Sequence, residues 1–198
     1  KKTAENHEKD ENGADLLQRH LNGDEKALNQ LVGLYMRPVF RFIQGLTKNP
    51  QDAEDITQEV FVKVWQKAKK YRPEYKFKTW LFTIARNTAI DWLRKKRSVV
   101  FSDFENNEGE NLFVDTLTDH EPLAETLSIN AEESLNLLKK IKELAPASQE
   151  ILTLYYQEEL TFDEIGKILD KPLNTVKSQH RRTLITLKKL LNLPAPKK

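Results

Sequence analysis

Between residues 51 and 97 the apolar side chains recur at helical spacing on both sides of a single proline. That pattern admits little besides two amphipathic helices joined by a loop. Unrolled at about 100° per residue, the first helix gathers Ile56, Val60, Ala53, Val64, Ala68, Phe61 and Trp65 into one arc of about 180°. Asp55, Gln66, Glu59 and Asp52 collect on the other side, with Val62 the one large apolar residue beside them. Such a face is either an ordinary solvated surface or a docking site for a basic partner, with Val62 as its apolar contact.

Around Pro73 the helical pattern gives way to Tyr71, Arg72, Tyr75, Lys76, Phe77 and Lys78, which reads as a loop. Thr79 is then placed to cap a second helix beginning at Trp80. From Lys67 to Arg97 eleven cations face only Glu74 and Asp91, a local charge of +9 in a chain whose net charge is +2. Cations interleaved with rings suit a single nucleic-acid strand, because the cations hold phosphates while the rings stack on unpaired bases. Trp80 and Trp92 are expected in the core. Arg86, Arg94 and Arg97 fall within about 80° of one another, a stripe that can face phosphates. Asn87 beside them serves either a base edge or the core.

The run AEDITQEVFVKVWQK, followed by KFKTWLFTIARNTAIDWLRKKR, resembles the core-binding and minus-ten-binding region of bacterial sigma factors, most closely the compact extracytoplasmic-function (ECF) group. The resemblance implies that Asp55, Gln58, Glu59 and Val62 contact RNA polymerase core enzyme. It also points to the loop before the second helix as the part that meets the minus-ten element. By their chemistry Tyr75 and Phe77 are expected to stack on its unpaired bases, Lys76, Lys78 and Asn87 to meet base edges, and Arg72, Arg86 and Arg94 to hold the flanking phosphates.

The remainder of the chain is organised around this unit. Residues 1–13 are polar and mixed in charge, an expected frayed tail. A short helix over residues 14–21 should stop at Asn22-Gly23, and Asp24 should cap a longer one that Pro38 kinks or divides. Asn49-Pro50 ends it, which completes an all-helical first domain over residues 14–97. Residues 98–133 carry ten acidic side chains and no lysine or arginine, a charge of −10 expected of a mobile linker. Helices expected over residues 131–144, 147–156, 161–169 and 174–191 build a second domain over residues 134–193, before a short tail at 194–198.

Thr161-Phe162-Asp163-Glu164 has the form of a capping box, and a three-residue turn at Asp170-Lys171-Pro172 separates the last two helices. That is a helix-turn-helix. Thr175, Lys177, Ser178, Gln179, Arg181 and Arg182 lie on the exposed side of the last helix, and all eight charges from Lys171 onward are positive. A second helix so charged suits a duplex major groove. His180 falls toward the buried arc and reads as a packed histidine. The stretch TFDEIGKILDKPLNTVKSQHRRTL is similar to the minus-thirty-five-binding domain of the same family, with Gly166 in place of the usual alanine, Asn174 of a glycine, and Gln179 and Leu184 of arginines. Asn174 is expected to tolerate the glycine backbone there and to cap.

The chain is therefore expected to be all-α, two small helical domains joined by an acidic linker. Together the resemblances imply a sigma factor that binds RNA polymerase core and directs initiation at promoters through minus-ten and minus-thirty-five DNA, and that an anti-sigma factor restrains. An operator-binding regulator would leave the Asp55/Glu59 face and the aromatic loop without a purpose. An enzyme lacks support: there is no cysteine, no glycine-rich phosphate loop and no nucleophile–base grouping, and neither cofactor nor metal is implied. The absence of cysteine also excludes disulfides. No apolar run approaches the roughly 20 residues of a membrane span, so a soluble, cytoplasmic bacterial protein without membrane insertion is expected. The sequence opens on Lys1 rather than methionine and leaves the native start undefined.

Overall fold

The computed structural model describes the backbone of residues 2–104 and 131–191, and the side chains of residues 12–96 and 135–191. Helices α1 (Lys2–Leu21), α2 (Glu25–Thr47), α3 (Pro50–Lys67) and α4 (Phe77–Phe104) form the first half, with a 3-10 turn at Ala68–Lys70. Helices α5 (Ala131–Lys142), α6 (Pro146–Leu152), α7 (Phe162–Leu169) and α8 (Leu173–Leu190) form the second, with a π-turn at Thr153–Gln157 after α6. Among the described residues there is no strand, and no helix is long and apolar enough to cross a membrane. The linker expected to be mobile lies largely outside the described residues.

Local sequence accounts for several helix ends. The Asp24 carboxylate accepts from the backbone N–H groups of Lys26 and Ala27 at the start of α2, and the Asn49 side chain does the same for Asp52 in α3. Lys48, left-handed at φ 59°, closes α2. Pro38 does not divide α2, which runs unbroken because Ala27, Leu31, Tyr35, Val39, Phe42 and Ile43 bury one continuous face. Two boundaries differ from the sequence expectation. The backbone of α1 is helical from Lys2, so the segment expected to fray is not irregular. Helix α4 continues past Arg97 to Phe104, into the start of the expected linker.

The start of α4 is a third correction. It begins at Phe77, with the Trp80 N–H already bonded to the Lys76 carbonyl, so Thr79 lies inside the first turn and does not cap. Its hydroxyl is buried and has no hydrogen-bond partner among the described residues. Tertiary packing prevails here: Phe77 is fully buried, with ring centroids 5.2 Å from Tyr35, 5.7 Å from Tyr71 and 5.8 Å from Trp80. Burying that ring is worth about 1.5–3 kcal/mol, more than the roughly 1 kcal/mol of an N-cap.

Leu16 and Leu17 of α1, the α2 face, Ala53, Ile56, Val60, Phe61 and Val64 of α3, and Leu81, Phe82 and Ala85 of α4 make the first core. Ile151, Leu154, Leu160, Ile165, Ile168, Leu169 and Val176 belong to the same apolar cluster, so the two halves are packed together, with α4 against α7. Helix α1 reaches this core through Gly13, where a Cβ would stand 2.5 Å from both Phe77 Cδ1 and the Tyr35 hydroxyl. We expect Gly13→Val to destabilise the protein by about 1–3 kcal/mol through overpacking, measurable as a lowered urea midpoint.

Candidate nucleic-acid interface

On α3 the face opposite the core is only partly free. Asp52 is tied to Lys96 of α4 at 2.7 Å, and Glu59 pairs with Lys63 one turn on at 2.7 Å. Asp55, Gln58 and Val62 stand in solvent, and Val62 is 44% exposed. Trp65, placed in the buried arc by periodicity, is exposed, like Val62 three residues before it on α3. Periodicity registers a side chain's direction and not where the neighbouring helix ends, so this apolar extension of the face escaped the sequence.

The loop before α4 rests on a small aromatic base. Tyr71 packs on Trp80 at 5.2 Å, and its hydroxyl donates to the Tyr75 carbonyl at 2.8 Å. That bond ties the loop at Tyr75, a residue 52% exposed, beside exposed Arg72 and Lys76. Asn87 and Arg94 are exposed on α4, Arg94 against Asp91 at 2.9 Å, so Asn87 is not a core amide. Phe77 is the correction among the expected base contacts: with no exposed surface it supports the loop and cannot stack on a base. Trp80 and Trp92 are half-buried against the core. The remaining three cations face the second half of the chain. Lys76 pairs with Glu164 at 2.7 Å, Lys78 with Glu158 at 3.2 Å and Arg86 with Glu150 at 2.8 Å.

In that second half, Thr161 caps α7 through the expected box. The Glu164 carboxylate accepts from the Thr161 N–H at 2.7 Å and its hydroxyl at 2.8 Å, while the hydroxyl accepts from the Glu164 N–H. Burial pushes the Glu164 pKa up, but the Lys76 ammonium and the two Thr161 donors outweigh it and hold the group below its ordinary value. The turn closes through left-handed Asp170, directly over Gly166, where a Cβ would meet the Lys171 carbonyl oxygen at 2.7 Å. Asn174 is the second residue of α8, in neither a capping nor a left-handed position, so the role expected of it is not used.

Along α8, Lys177, Arg181 and Arg182 are exposed, while Thr175, Ser178 and Gln179 are half-buried. Gln179 accepts from Lys171 at 3.2 Å, and Ser178 accepts from Arg182 at 3.3 Å, which pre-positions that guanidinium. Val176 and Thr183 anchor the opposite face, the latter donating to Ser148 on α6 at 2.9 Å.

Regions of two family descriptions cover these surfaces: Sigma-70 region 2 over residues 31–99 and Sigma-70, region 4 over residues 141–189. The chain is 32% identical to the ECF RNA polymerase sigma factor SigW of Bacillus subtilis over 171 residues, 85% of this chain and 91% of the relative. It is 30% identical to the ECF RNA polymerase sigma-E factor of Escherichia coli K12, over 83% of this chain and 86% of that one. The chain belongs to the ECF sigma factors. In fold it matches the sigma factor RpoE of Bartonella quintana, solved with the anti-sigma factor NepR, at a TM-score of 0.68 and 24% identity over 86% of this chain and 99% of that chain.

This sigma factor is thus a promoter-recognising initiation factor of RNA polymerase, with region 2 matching the minus-ten role and region 4 the minus-thirty-five role. His180, inside region 4, is packed among the rings of Tyr155 at 4.8 Å, Phe162 at 5.1 Å and Tyr156 at 5.7 Å, and its Nε2 has no hydrogen-bond partner among the described residues. It is the packed histidine that the helical arc indicates. Burial lowers its pKa.

Two predictions follow from these placements. With its folded pKa below the unfolded value of about 6.5, His180 favours the native state above that pH, and the contribution is lost as pH falls through the folded value. Wild-type stability should therefore drop more between pH 7.5 and 5.5 than that of His180→Phe, compared by urea unfolding at each pH. Truncating the two loop aromatics should separate their roles: Phe77→Ala should cost about 3–5 kcal/mol of stability, whereas exposed Tyr75→Ala should leave the thermal midpoint nearly unchanged.

Proposed function

We propose that Asp55, Gln58, Glu59 and Val62 on α3 dock the polymerase core, joined by the exposed edge of Trp65. Arg72, Tyr75, Lys76, Lys78, Arg86, Asn87 and Arg94 then hold the minus-ten non-template strand. Thr175, Lys177, Ser178, Gln179, Arg181 and Arg182 read the minus-thirty-five duplex. The observation that carries this reading is exposed Tyr75, its carbonyl tied by the Tyr71 hydroxyl and its flanks occupied by Arg72 and Lys76. A stacking surface between phosphate-binding cations is what an unpaired base requires, and a protein that reads only duplex DNA has no use for it.

At the other end, a helix-turn-helix with exposed Lys177, Arg181 and Arg182 fits a major groove, where arginine and lysine contact guanine edges or phosphates. The protein works in the cytoplasm and performs no catalysis of its own. An anti-sigma factor restrains it, as NepR is bound to the Bartonella relative, and Val62 and Ile185, both more than two-fifths exposed, offer that partner apolar contacts.

Core docking is tested by reversing charge at Asp55 and Glu59 together. Affinity for core enzyme should fall by about ten-fold or more with the fold intact by circular dichroism, and an unchanged titration would remove the α3 assignment. Strand capture is tested by Tyr75→Ala with Lys76→Ala, which spares the structural Phe77. Permanganate footprinting should show loss of promoter opening while core binding persists; normal opening would defeat the loop assignment.

A further inference from the structure

The turn between α7 and α8 sets one cation against the helix that follows it. Asp170 is left-handed, the Lys171 N–H donates to the Gly166 carbonyl at 2.9 Å, and the Lys171 carbonyl oxygen lies so close over Gly166 that a Cβ there would stand 2.7 Å away. Pro172 restricts the backbone on the other side. The root of Lys171 is therefore rigid. Its half-buried side chain lies back along α8, where Nζ donates to Gln179 Oε1 at 3.2 Å. Gln179 stands one turn after Thr175 and three residues before Arg182, so the three share one ridge of α8. The Arg182 guanidinium on that ridge is itself held by Ser178 at 3.3 Å.

We propose that Lys171 locks the Gln179 amide so that the pair presents only hydrogen-bond donors to the minus-thirty-five groove, and that it selects guanine at the base it meets. The proposal rests on the reading of Gln179 as a groove contact of α8, and it names the base which that contact takes.

The chemistry of the two groups decides the orientation. An ammonium has three donors and no acceptor, so the amide that faces it must turn its oxygen inward. The Gln179 amide nitrogen, with two donors, is bonded to no described residue and is not closed off from solvent. An unrestrained glutamine reads adenine with both ends of its amide, the nitrogen donating to N7 and the oxygen accepting from the N6 amino group. Here that amino group would approach an oxygen that already holds a cation, donor against donor. Cytosine also presents an amino donor and meets the same repulsion. Guanine presents N7 and O6, two acceptors, and both the amide nitrogen and the ammonium attract them. Thymine has only O4 to offer and leaves one of the two donors unmet. No Asp or Glu occurs from Lys171 onward, so α8 supplies no carboxylate that would reverse the preference.

The test uses holoenzyme assembled from the full chain and core enzyme. The probe is a pool of random-sequence duplexes long enough to hold both promoter elements, and sequencing of the bound fraction gives the base preference at each position. Wild type should enrich guanine at one position of the minus-thirty-five element that Gln179→Ala makes indifferent, with the other positions unchanged. Lys171→Met keeps the side-chain stem and removes the donor. It should lower the guanine-to-adenine ratio at that position by about ten-fold and leave the rest alone, while Lys171→Arg, which still donates, should keep guanine. Enrichment of any other base there by wild type overturns the proposal with no variant needed, so a variant that fails to fold does not shelter it. An unchanged ratio in Lys171→Met overturns it as well; if that variant's binding only becomes less salt-dependent, Lys171 is a phosphate contact. The underlying reading fails in a different way. If Gln179→Ala alters no position, Gln179 meets no base and the proposal falls with the reading. If Gln179→Ala erases one position and Lys171→Met leaves that position as it was, the groove contact stands and only the lock fails.

Discussion

The burial of Phe77 is the constraint to which much of the first half answers. Its ring meets Tyr35 of α2, Tyr71 of the preceding loop and Trp80 of its own helix, and the backbone of α1 comes close enough that only glycine fits at position 13. Placing that ring inside starts α4 at Phe77, fixes Tyr71, and through the Tyr71 hydroxyl ties the loop at Tyr75. One buried side chain thus decides where the helix starts and the path of the loop. The energy behind it is the burial of a whole aromatic surface, which outweighs any local capping preference.

Electrostatics explains why so basic a stretch is stable in a compact chain. Eleven cations within thirty-one residues would repel one another if left unpaired. Lys96 instead ties α4 to Asp52 of α3, and Lys76, Lys78 and Arg86 reach carboxylates of region 4. The first pair joins helices within region 2. The other three join its DNA-facing side to the second half of the chain, so the charges that suit nucleic acid also hold the two regions together. Glu164 shows the economy of this arrangement: one oxygen caps α7 and the other receives Lys76.

Comparison of particular residues shows what a linear reading can and cannot reach. The caps Asp24 and Thr161 and the turn at Asp170-Lys171-Pro172 act within a few residues, and their chemistry is visible in order along the chain, while Asn49, read as the end of one helix, also caps the next. The exposed cations Lys177, Arg181 and Arg182 on α8 follow from period and charge in the same way, whereas Thr175, Ser178 and Gln179, expected on that side, are half-buried. Trp65 and Phe77 are the contrary cases. Each has the composition of either a core or a surface residue, and the choice depends on whether a distant helix covers it. Asn174 shows the same limit at a turn, since the backbone there needs neither a cap nor a left-handed residue.

The sequence by itself determined that the chain is helical, where its helix-turn-helix lies and which faces carry charge, because periodicity, capping and charge are properties of neighbours; the ECF sigma-factor resemblance rests on its residue runs. Only the tertiary structure decided that Phe77 belongs to the core, that Tyr75 alone of the loop pair meets solvent, and that Lys76, Lys78 and Arg86 face Glu164, Glu158 and Glu150. Those ion pairs join residues between 64 and 88 positions apart, partners that no local pattern can name. They are set by how α4 and α7 pack, and packing is a property of surfaces that exist only once the helices have formed.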